Sequence, residues 1–367
     1  MIEFKMPSLG ADMEEGKLLE WKMKPGDAVK RGDVVAVVDT SKAAVEVEIW
    51  QDGVVQELVT QPGETVPVGT VMARLRGVEE KPSATTPAPL RKPASPAARK
   101  RARELDVDLE KVPGTGPHGA VTTGDVEKFA RKGEAKEEKK EPQREDRSPE
   151  MRKAIAAAMS RSKRDIPHYY ISQTIPMQRA AQWLAGENAR RSLAERLLMG
   201  ALQLKAVALA LAEFPDFNGF WQDGAFRHAD GVHIGVAISL RQGGLVAPAI
   251  HDVPEKSLTE LMKSLSDLVK RARAASLRSS EMSDPTITVT NLGDQGVDEV
   301  FGIIYPPQVA LVGFGRVAHR PWAENGMLGA IPTVVASLAA DHRASDGHRG
   351  ARFLAAIAAR LQEPEKL

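Results

Sequence analysis

Residues 1–76 repeat themselves. Gly16-Lys17-Leu18-Leu19-Glu20-Trp21 is echoed by Gly53-Val54-Val55-Gln56-Glu57-Leu58, Pro25-Gly26-Asp27 by Pro62-Gly63-Glu64, and Gly32 by Gly69, all at a constant offset of 37 residues. Each copy alternates apolar and polar positions between Pro-Gly and Gly turns, the period of a half-buried strand. Two like halves of short strands restrict the segment to a flattened barrel or sandwich with internal pseudo-symmetry. Between the halves, Val37-Val38-Asp39 and Val45-Glu46-Val47 flank a short polar stretch, so the spacing predicts a hairpin with Lys42 at its tip. On a hairpin with no other feature such a lysine is simply a solvated tip.

A tether follows over 77–94, where Pro82, Pro87, Pro89 and Pro93 stand among Ala, Thr and Ser. With little to bury, it is expected to stay extended and mobile and to hold its cargo near its targets. Residues 95–130 then read as a small helical unit. Ser95 caps a helix with Pro96 at its first position, Ala98, Ala102 and Leu105 form its inner face, and Arg99, Lys100 and Arg103 lie outside. Thr122 with Asp125 reads as a capping box opening a second helix through Phe129. Residues 131–147 hold seven basic and six acidic residues without an apolar stripe, a charged linker.

The remaining 148–367 read as α+β, a mixed sheet covered by helices. Helices are expected from Ser148-Pro149 through Met159, over Leu193–Phe214 and over Leu258–Ala274. Strands are expected at Ile166–Ser172, Val232–Leu240, Leu245–Ile250, Thr286–Asn291 and Val309–Phe314. Near the end, the apolar run Ile331–Ala340 reads as a buried strand and leads into His342, Asp346 and Gly347, after which Phe353, Ile357 and Leu361 follow helical spacing. A histidine where a strand ends on a loop can take a proton from S–H or O–H near neutral pH, and Asp346 is close enough to orient the ring or the loop. On these two residues alone, a surface loop with a stray histidine is the plainer reading.

Composition narrows the classes. Fifty Lys+Arg against 49 Asp+Glu leave a formal charge of +1, so no bulk field favours nucleic acid. No apolar run reaches membrane-spanning length and the N-terminus lacks a leader pattern, so a soluble cytoplasmic protein is expected. Cysteine is absent, which removes disulfides, thiolate metal sites and cysteine nucleophiles; no metal is expected.

The wording of the whole chain resembles the dihydrolipoamide acyltransferases, core components of 2-oxo-acid dehydrogenase complexes. Asp341-His342-Arg343 with Asp346-Gly347 resembles their DHRxxDG signature; Ile166-Pro167-His168-Tyr169-Tyr170, Gly244-Leu245-Val246-Ala247-Pro248, Asn291-Leu292-Gly293 and Pro306-Pro307-Gln308 resemble further motifs in the right order. The frame around Lys42 resembles a lipoyl domain; the rival biotin carrier places Met on both sides of its lysine, where this chain has Ser41 and Ala43. Residues 95–130 resemble the peripheral-subunit-binding domain.

The resemblance implies an all-β lipoyl domain (1–76), a small helical binding domain (95–130) and an α+β chloramphenicol-acetyltransferase-like catalytic domain (148–367). It implies lipoic acid in amide linkage on Lys42 and transfer of an acyl group from S-acyl-dihydrolipoyl lysine to coenzyme A, in a pyruvate, branched-chain or acetoin complex. His342 is then the general base, Thr290 (at the Ser of TISNLG) the hydroxyl donor to the oxyanion, and Asp346 its companion. Arg99 and Arg103 match basic positions that dock dihydrolipoamide dehydrogenase or the 2-oxo-acid decarboxylase. The family assembles as homotrimers in a cubic or icosahedral core, with each active site between subunits; neither nucleic acid nor membrane is a partner. His168 and His251 are expected to be structural. The alternatives are a non-catalytic scaffold, which the presence of His342, Asp346 and a hydroxyl at 290 disfavours, and a free-standing small-molecule acetyltransferase, for which Lys42 and the tethers have no use.

Overall fold

A computed structural model describes residues 1–9, 13–40, 44–77, 102, 121–127, 148–240, 244–324 and 326–367. The chain divides into two compact units, 1–79 with 147–367, and 80–146.

The repeat becomes two facing sheets. The strands are β1 (Ile2–Lys5), β2 (Glu15–Trp21), β3 (Ala28–Val29), β4 (Val34–Asp39), β5 (Ala44–Glu48), β6 (Gly53–Leu58), β7 (Thr65–Pro67) and β8 (Val71–Arg76). One sheet runs β1-β8-β6-β3 and the other carries β5-β4-β2-β7. Each half, β1–β4 and β5–β8, thus places two strands in each sheet. The equivalence reaches the backbone: Gly26 and Gly63 both sit at φ 98°, and Gly32 and Gly69 at 92° and 88°, turns that need the left-handed region. Leu18, Val38, Val47, Met72 and Leu75 fill the space between the sheets. β4 and β5 pair down to Asp39 opposite Ala44, so the expected hairpin forms; Lys42 itself lies outside the described residues, as do Arg99 and Arg103.

In the second unit Ala102 and Val121 are buried and residues 123–127 are helical. The capping box forms: the Thr122 N–H and hydroxyl both donate to Asp125 at 2.9 and 2.8 Å, and the Asp125 N–H donates back to the Thr122 hydroxyl at 3.4 Å.

Residues 148–367 build a mixed seven-stranded sheet. Its strands are β9 (His168–Pro176), β12 (Ile234–Val236), β15 (Ala249–Ile250), β17 (Ile287–Asn291), β18 (Ala310–Phe314), β19 (Ala318–Glu324) and β20 (Met327–Asp341), with β10 (Gly219–Gln222), β11 (Ala225–His228), β13 (Ile238–Ser239), β14 (Leu245–Val246) and β16 (Leu277–Arg278) outside it. The order is β15-β12-β17-β18-β20-β19, with β9 on the other side of β20. β12, β17 and β18 are parallel, and β20 is antiparallel to its neighbours. The helices are α1 (Ser148–Asp165), α2 (Gln178–Ala189), α3 (Met199–Ala210), α4 (Leu258–Ala274), α5 (Ser279–Ser283) and α6 (Gly347–Leu361). α6 lays Phe353, Leu354, Ile357 and Leu361 on the sheet, the face its spacing predicts. α4 begins at a capping box, Ser257 with Glu260.

Two expectations are corrected. α1 runs to Asp165 rather than Met159, stopping just before Ile166-Pro167, because the residue preceding proline is driven out of the helical region. The long helix expected over Leu193–Phe214 is broken. A 3-10 turn at Leu193–Glu195 precedes an extended stretch with Arg196 at ψ 137°, and α3 starts only at Met199. The Asn188 amide holds the break, donating to the Leu197 carbonyl at 2.9 Å and accepting its N–H at 2.8 Å. Apolar composition alone does not reveal such a side-chain clamp.

Candidate active site

β20 ends in a charged residue that the core swallows. Asp341 is 0 % exposed, and its carboxylate accepts from the Arg343 backbone N–H at 2.9 Å and from the Arg343 guanidinium at 2.7–3.1 Å. A buried carboxylate without such a partner would be costly, so this pair dictates how the chain turns out of the sheet. Arg343 in turn lies 4.6 Å over the Trp221 ring, which fixes the guanidinium from its other face. Between the two charges sits His342, its N–H held by the Pro167 carbonyl at 3.0 Å and its imidazole exposed.

Tyr169, on β9, supports the loop from below. Its hydroxyl donates to the Asp346 carbonyl at 2.8 Å and meets the Ser345 hydroxyl at 2.9 Å, while its ring lies edge-on to His342 at 5.2 Å. Burial pushes the phenol up to about 12, so it stays a neutral hydrogen-bonding group. Gly350 makes room: a Cβ there would stand 2.9 Å from the Tyr169 hydroxyl and from Ile171. The Asp346 side chain does not reach the imidazole. It caps α6 by accepting the Arg349 N–H at 2.9 Å, a bond that holds its carboxyl below the ordinary range. Its place is therefore with the loop and the helix start. Arg349 bonds Asp216 and lies 4.8 Å over Phe214, tying α6 to the turn after α3.

Thr290 stands elsewhere. Thr286, Thr288 and Thr290 alternate onto one face of β17. The first two are buried, their hydroxyls donating to Asn218 at 2.6 Å and Gln308 at 2.8 Å. Thr290 is half-buried, and among the described residues its hydroxyl has no partner. Asn291 beside it donates to the buried Gln203 at 2.7 Å and accepts the Gly293 N–H at 2.8 Å. Gln203, Val289, Asn291 and Arg316 line a cavity of about 540 Å³ at this end of the sheet.

The two sites do not meet within one chain. Thr290 is level with Gly313, Gly313 is level with Ser337, and His342 lies five residues further along β20, about 17 Å away at 3.3 Å per residue. His168 is structural, its Nδ1 on the Ile166 carbonyl at 2.9 Å and its Nε2 accepting the Ile304 N–H at 3.2 Å, and burial lowers its pKa. Sequence reasoning passed over Asp341, Arg343 and Tyr169. The signal was present: a carboxylate closing a ten-residue apolar run must be neutralised from nearby. Among the described residues no group of histidines and carboxylates could hold a metal ion.

Comparison with known proteins agrees along the chain. Residues 140–367 match the family model of the 2-oxoacid dehydrogenases acyltransferase (catalytic domain), residues 2–75 that of the biotin-requiring enzymes, and residues 92–127 the e3 binding domain. The dihydrolipoyllysine-residue acetyltransferase component of the pyruvate dehydrogenase complex of Rickettsia felis is 31% identical over 99% of this chain and 98% of its own length. A solved Azotobacter vinelandii dihydrolipoamide acetyltransferase, studied for the roles of a serine, a histidine and an asparagine in its catalytic mechanism, is 27% identical with a TM-score of 0.56. It covers 58% of this chain and 88% of that one. The cubic core of a pyruvate dehydrogenase multienzyme complex is 28% identical, with the same TM-score and coverage.

Proposed function

The chain belongs to the 2-oxoacid dehydrogenase acyltransferases, and from that premise we propose that it transfers an acetyl group between a lipoyl group on Lys42 and coenzyme A, with His342 as general base and Thr290 as oxyanion donor. One observation carries the assignment. In the Azotobacter enzyme the serine and histidine are 52 residues apart and the asparagine follows four later; Thr290, His342 and Asp346 have the same two spacings. The acetyl group follows from the relatives, which are acetyltransferases.

The lipoyl group supplies the thioester that is exchanged. The residues around its attachment point fit it: β4 and β5 are paired to their ends, leaving only four residues, Thr40–Ala43, to present Lys42. At the other pole, the exposed imidazole of His342 takes the proton of the attacking thiol and returns it to the departing sulfur. It is held by its backbone bond to Pro167 and by the Asp341–Arg343 pair, so proton transfer requires no rearrangement of the loop. The Thr290 hydroxyl donates to the acyl oxygen as that atom gathers charge. Asp346 acts by starting α6 where the loop must end. Because His342 and Thr290 lie at different ends of one sheet, the working pair comes from two copies of the chain, which supports a homotrimer with sites between its members and a larger core like the cubic one. Residues 95–130, with Arg99 and Arg103, dock dihydrolipoamide dehydrogenase or the decarboxylase component. We place the protein in the cytoplasm; among the described residues no helix is long and apolar enough to cross a membrane.

The test uses protein expressed with lipoic acid. Its intact mass should carry a lipoyl increment that Lys42→Ala abolishes, and it should exchange acetyl between coenzyme A and free dihydrolipoamide in a reaction that His342→Ala slows by about 10²-fold or more. A His342→Ala protein with full turnover would overturn the general-base assignment.

A further inference from the structure

β5 is the outer strand of its own sheet, directly after the stretch that carries Lys42. Such an edge presents unpaired backbone groups and recruits a further strand where one is offered. Here one is offered by the acyltransferase domain. β16 pairs with β5 in parallel, Val45 level with Leu277 and Glu46 with Arg278, and among the described residues it has no other strand partner. Side chains reinforce the seam. The Glu48 N–H donates to the Ser279 hydroxyl at 3.1 Å, the Ser280 hydroxyl donates to the Glu48 carboxylate at 2.5 Å, and the Ser276 hydroxyl donates to Glu46 at 3.2 Å. Arg278 stands 4.0 Å from Glu48. Met282 packs against both hydrophobic cores, and Leu277 is 1 % exposed.

The receiving segment is built to hold this shape. Glu281, nearly buried, takes both arms of the Arg271 guanidinium at 2.5 Å and the Arg278 backbone N–H at 2.9 Å. One residue past α5, Asp284 is bound by His251 at 2.9 Å. None of these anchors serves the site at His342 or Thr290.

We propose that Ser276–Met282 is a docking surface for the lipoyl domain of the same chain, which seats its β5 edge there as a resting position between deliveries. The held strand supports the resting role: β5 follows directly on the Lys42 stretch, and its pairing to Leu277 and Arg278 ties the domain down until the seam opens. Because β5 and β16 are parallel, the Lys42 end of β5 lies at Ser276, and the strand leads from there toward Met282. Met282 lines a cavity of about 440 Å³ with Phe220, Tyr305 and Gln308. Gln308 precedes Val309, whose carbonyl accepts the Asp341 N–H, so this cavity is on the His342 side of the sheet, and Ser8 of the seated domain borders it too. The docking stands on the contacts themselves; the resting role rests on Lys42 carrying the lipoyl group.

The chain has no cysteine, so a thiol pair can be placed without background. Glu46→Cys with Arg278→Cys puts thiols on strand partners, within the Cα range that a disulfide spans. In the full chain with Lys42→Arg, so that no lipoyl thiol competes, the pair should close within one chain about tenfold or more faster than the control pair Glu57→Cys with Arg278→Cys, because docking raises the effective concentration. Equal rates would overturn the docking; a disulfide joining two chains would overturn its assignment to the same chain. As a second measure, Glu48→Lys places like charges together and should speed amide exchange at Leu277–Ser280 with no change in α6. Unaltered exchange there would count against the seam. With Lys42 intact and lipoylated, the oxidised pair should turn over free dihydrolipoamide normally but acetylate its own arm about tenfold or more slowly, since the arm loses its effective concentration at the site. Normal arm acetylation in that locked protein would overturn the resting role, and loss of both reactions would point to a failure of the acyltransferase reading instead.

Discussion

The two ends of the acyltransferase sheet are built on opposite plans. At the His342 end the described contacts hold the loop that carries the imidazole: the buried Asp341–Arg343 pair, the Trp221 face over Arg343, and the Tyr169 hydroxyl under Ser345 and Asp346. At the Thr290 end the neighbours are satisfied, Thr288 by Gln308 and Asn291 by Gln203, but the hydroxyl at 290 has no partner among the described residues. One end is a finished half-site and the other a receptive one. On the roles proposed above, the difference teaches that rigidity is placed where a proton is exchanged, and that the Thr290 half is completed by a second copy.

The sharpest break would come at the finished end. His342→Ala should lower acetyl exchange by about 10²–10⁴-fold, the usual worth of a positioned acid–base group, in a steady-state assay with free dihydrolipoamide. At the receptive end, Thr290→Val should cost about 10²–10³-fold, mostly in kcat, as expected for one oxyanion donor. Mixing these two variants and reassembling them sharpens the comparison. Random closed assemblies restore both wild-type residues at about a quarter of the sites, so activity should rise well above that of either variant. If one chain held both residues of its own site, the mixture would show no gain.

Smaller effects test how the finished end is held. Asp341→Asn removes the charge-assisted bonds that turn the chain out of the sheet but leaves Arg343 in contact with solvent, so it should destabilise the domain by about 1.5–3 kcal/mol, read from the shift in denaturant midpoint. Tyr169→Phe removes the hydroxyl contacts to Ser345 and Asp346 and should cost about 1–2 kcal/mol, appearing as a several-fold fall in kcat with little change in KM.

The smallest effect concerns pH, at a place removed from both ends. The hydrogen bond that the His251 ring donates to the Asp284 carboxylate raises the His251 pKa, with further help from Asp252 and Glu281, while the His233 ring lies 5.0 Å away. Burial alone would lift Asp284, but His251 and Ser283 hold it below its ordinary value. A raised imidazole contributes stability below its unfolded pKa of about 6.5 and loses it as pH rises through the folded value. A depressed carboxyl contributes above about 3.9 and loses its share as pH falls through its own folded value. The pair should therefore help most between those limits. His251→Gln should flatten the fall in stability with rising pH above about 6.5, measured by denaturation at a series of pH values.

Much of this was legible in order along the chain. The 37-residue repeat predicts two equivalent sets of strands, and the glycines at its turns share their φ values because the same turn recurs. The spacing over Leu258–Ala274 and after Gly347 gives helices with those bounds and faces, since an amphipathic stripe and a cap are local properties. The extended break before Met199 was not legible, because it depends on the Asn188 amide reaching Leu197 nine residues on.

What the sequence determined by itself was the set of parts and their order: a pseudo-symmetric β domain with Lys42 between its halves, a small helical unit, and a mixed sheet ending in His342. Periodicity, turn residues and composition are written in neighbouring positions, and so are motif spacings such as the 52 residues from Thr290 to His342. Only the tertiary structure decided that those two residues point to different ends of the sheet, that Asp346 serves the helix start and not the imidazole, and that Asp341 is the buried charge around which the loop turns. Strand order, register and burial arise from contacts between residues far apart in the chain, and no local pattern encodes which of them will meet.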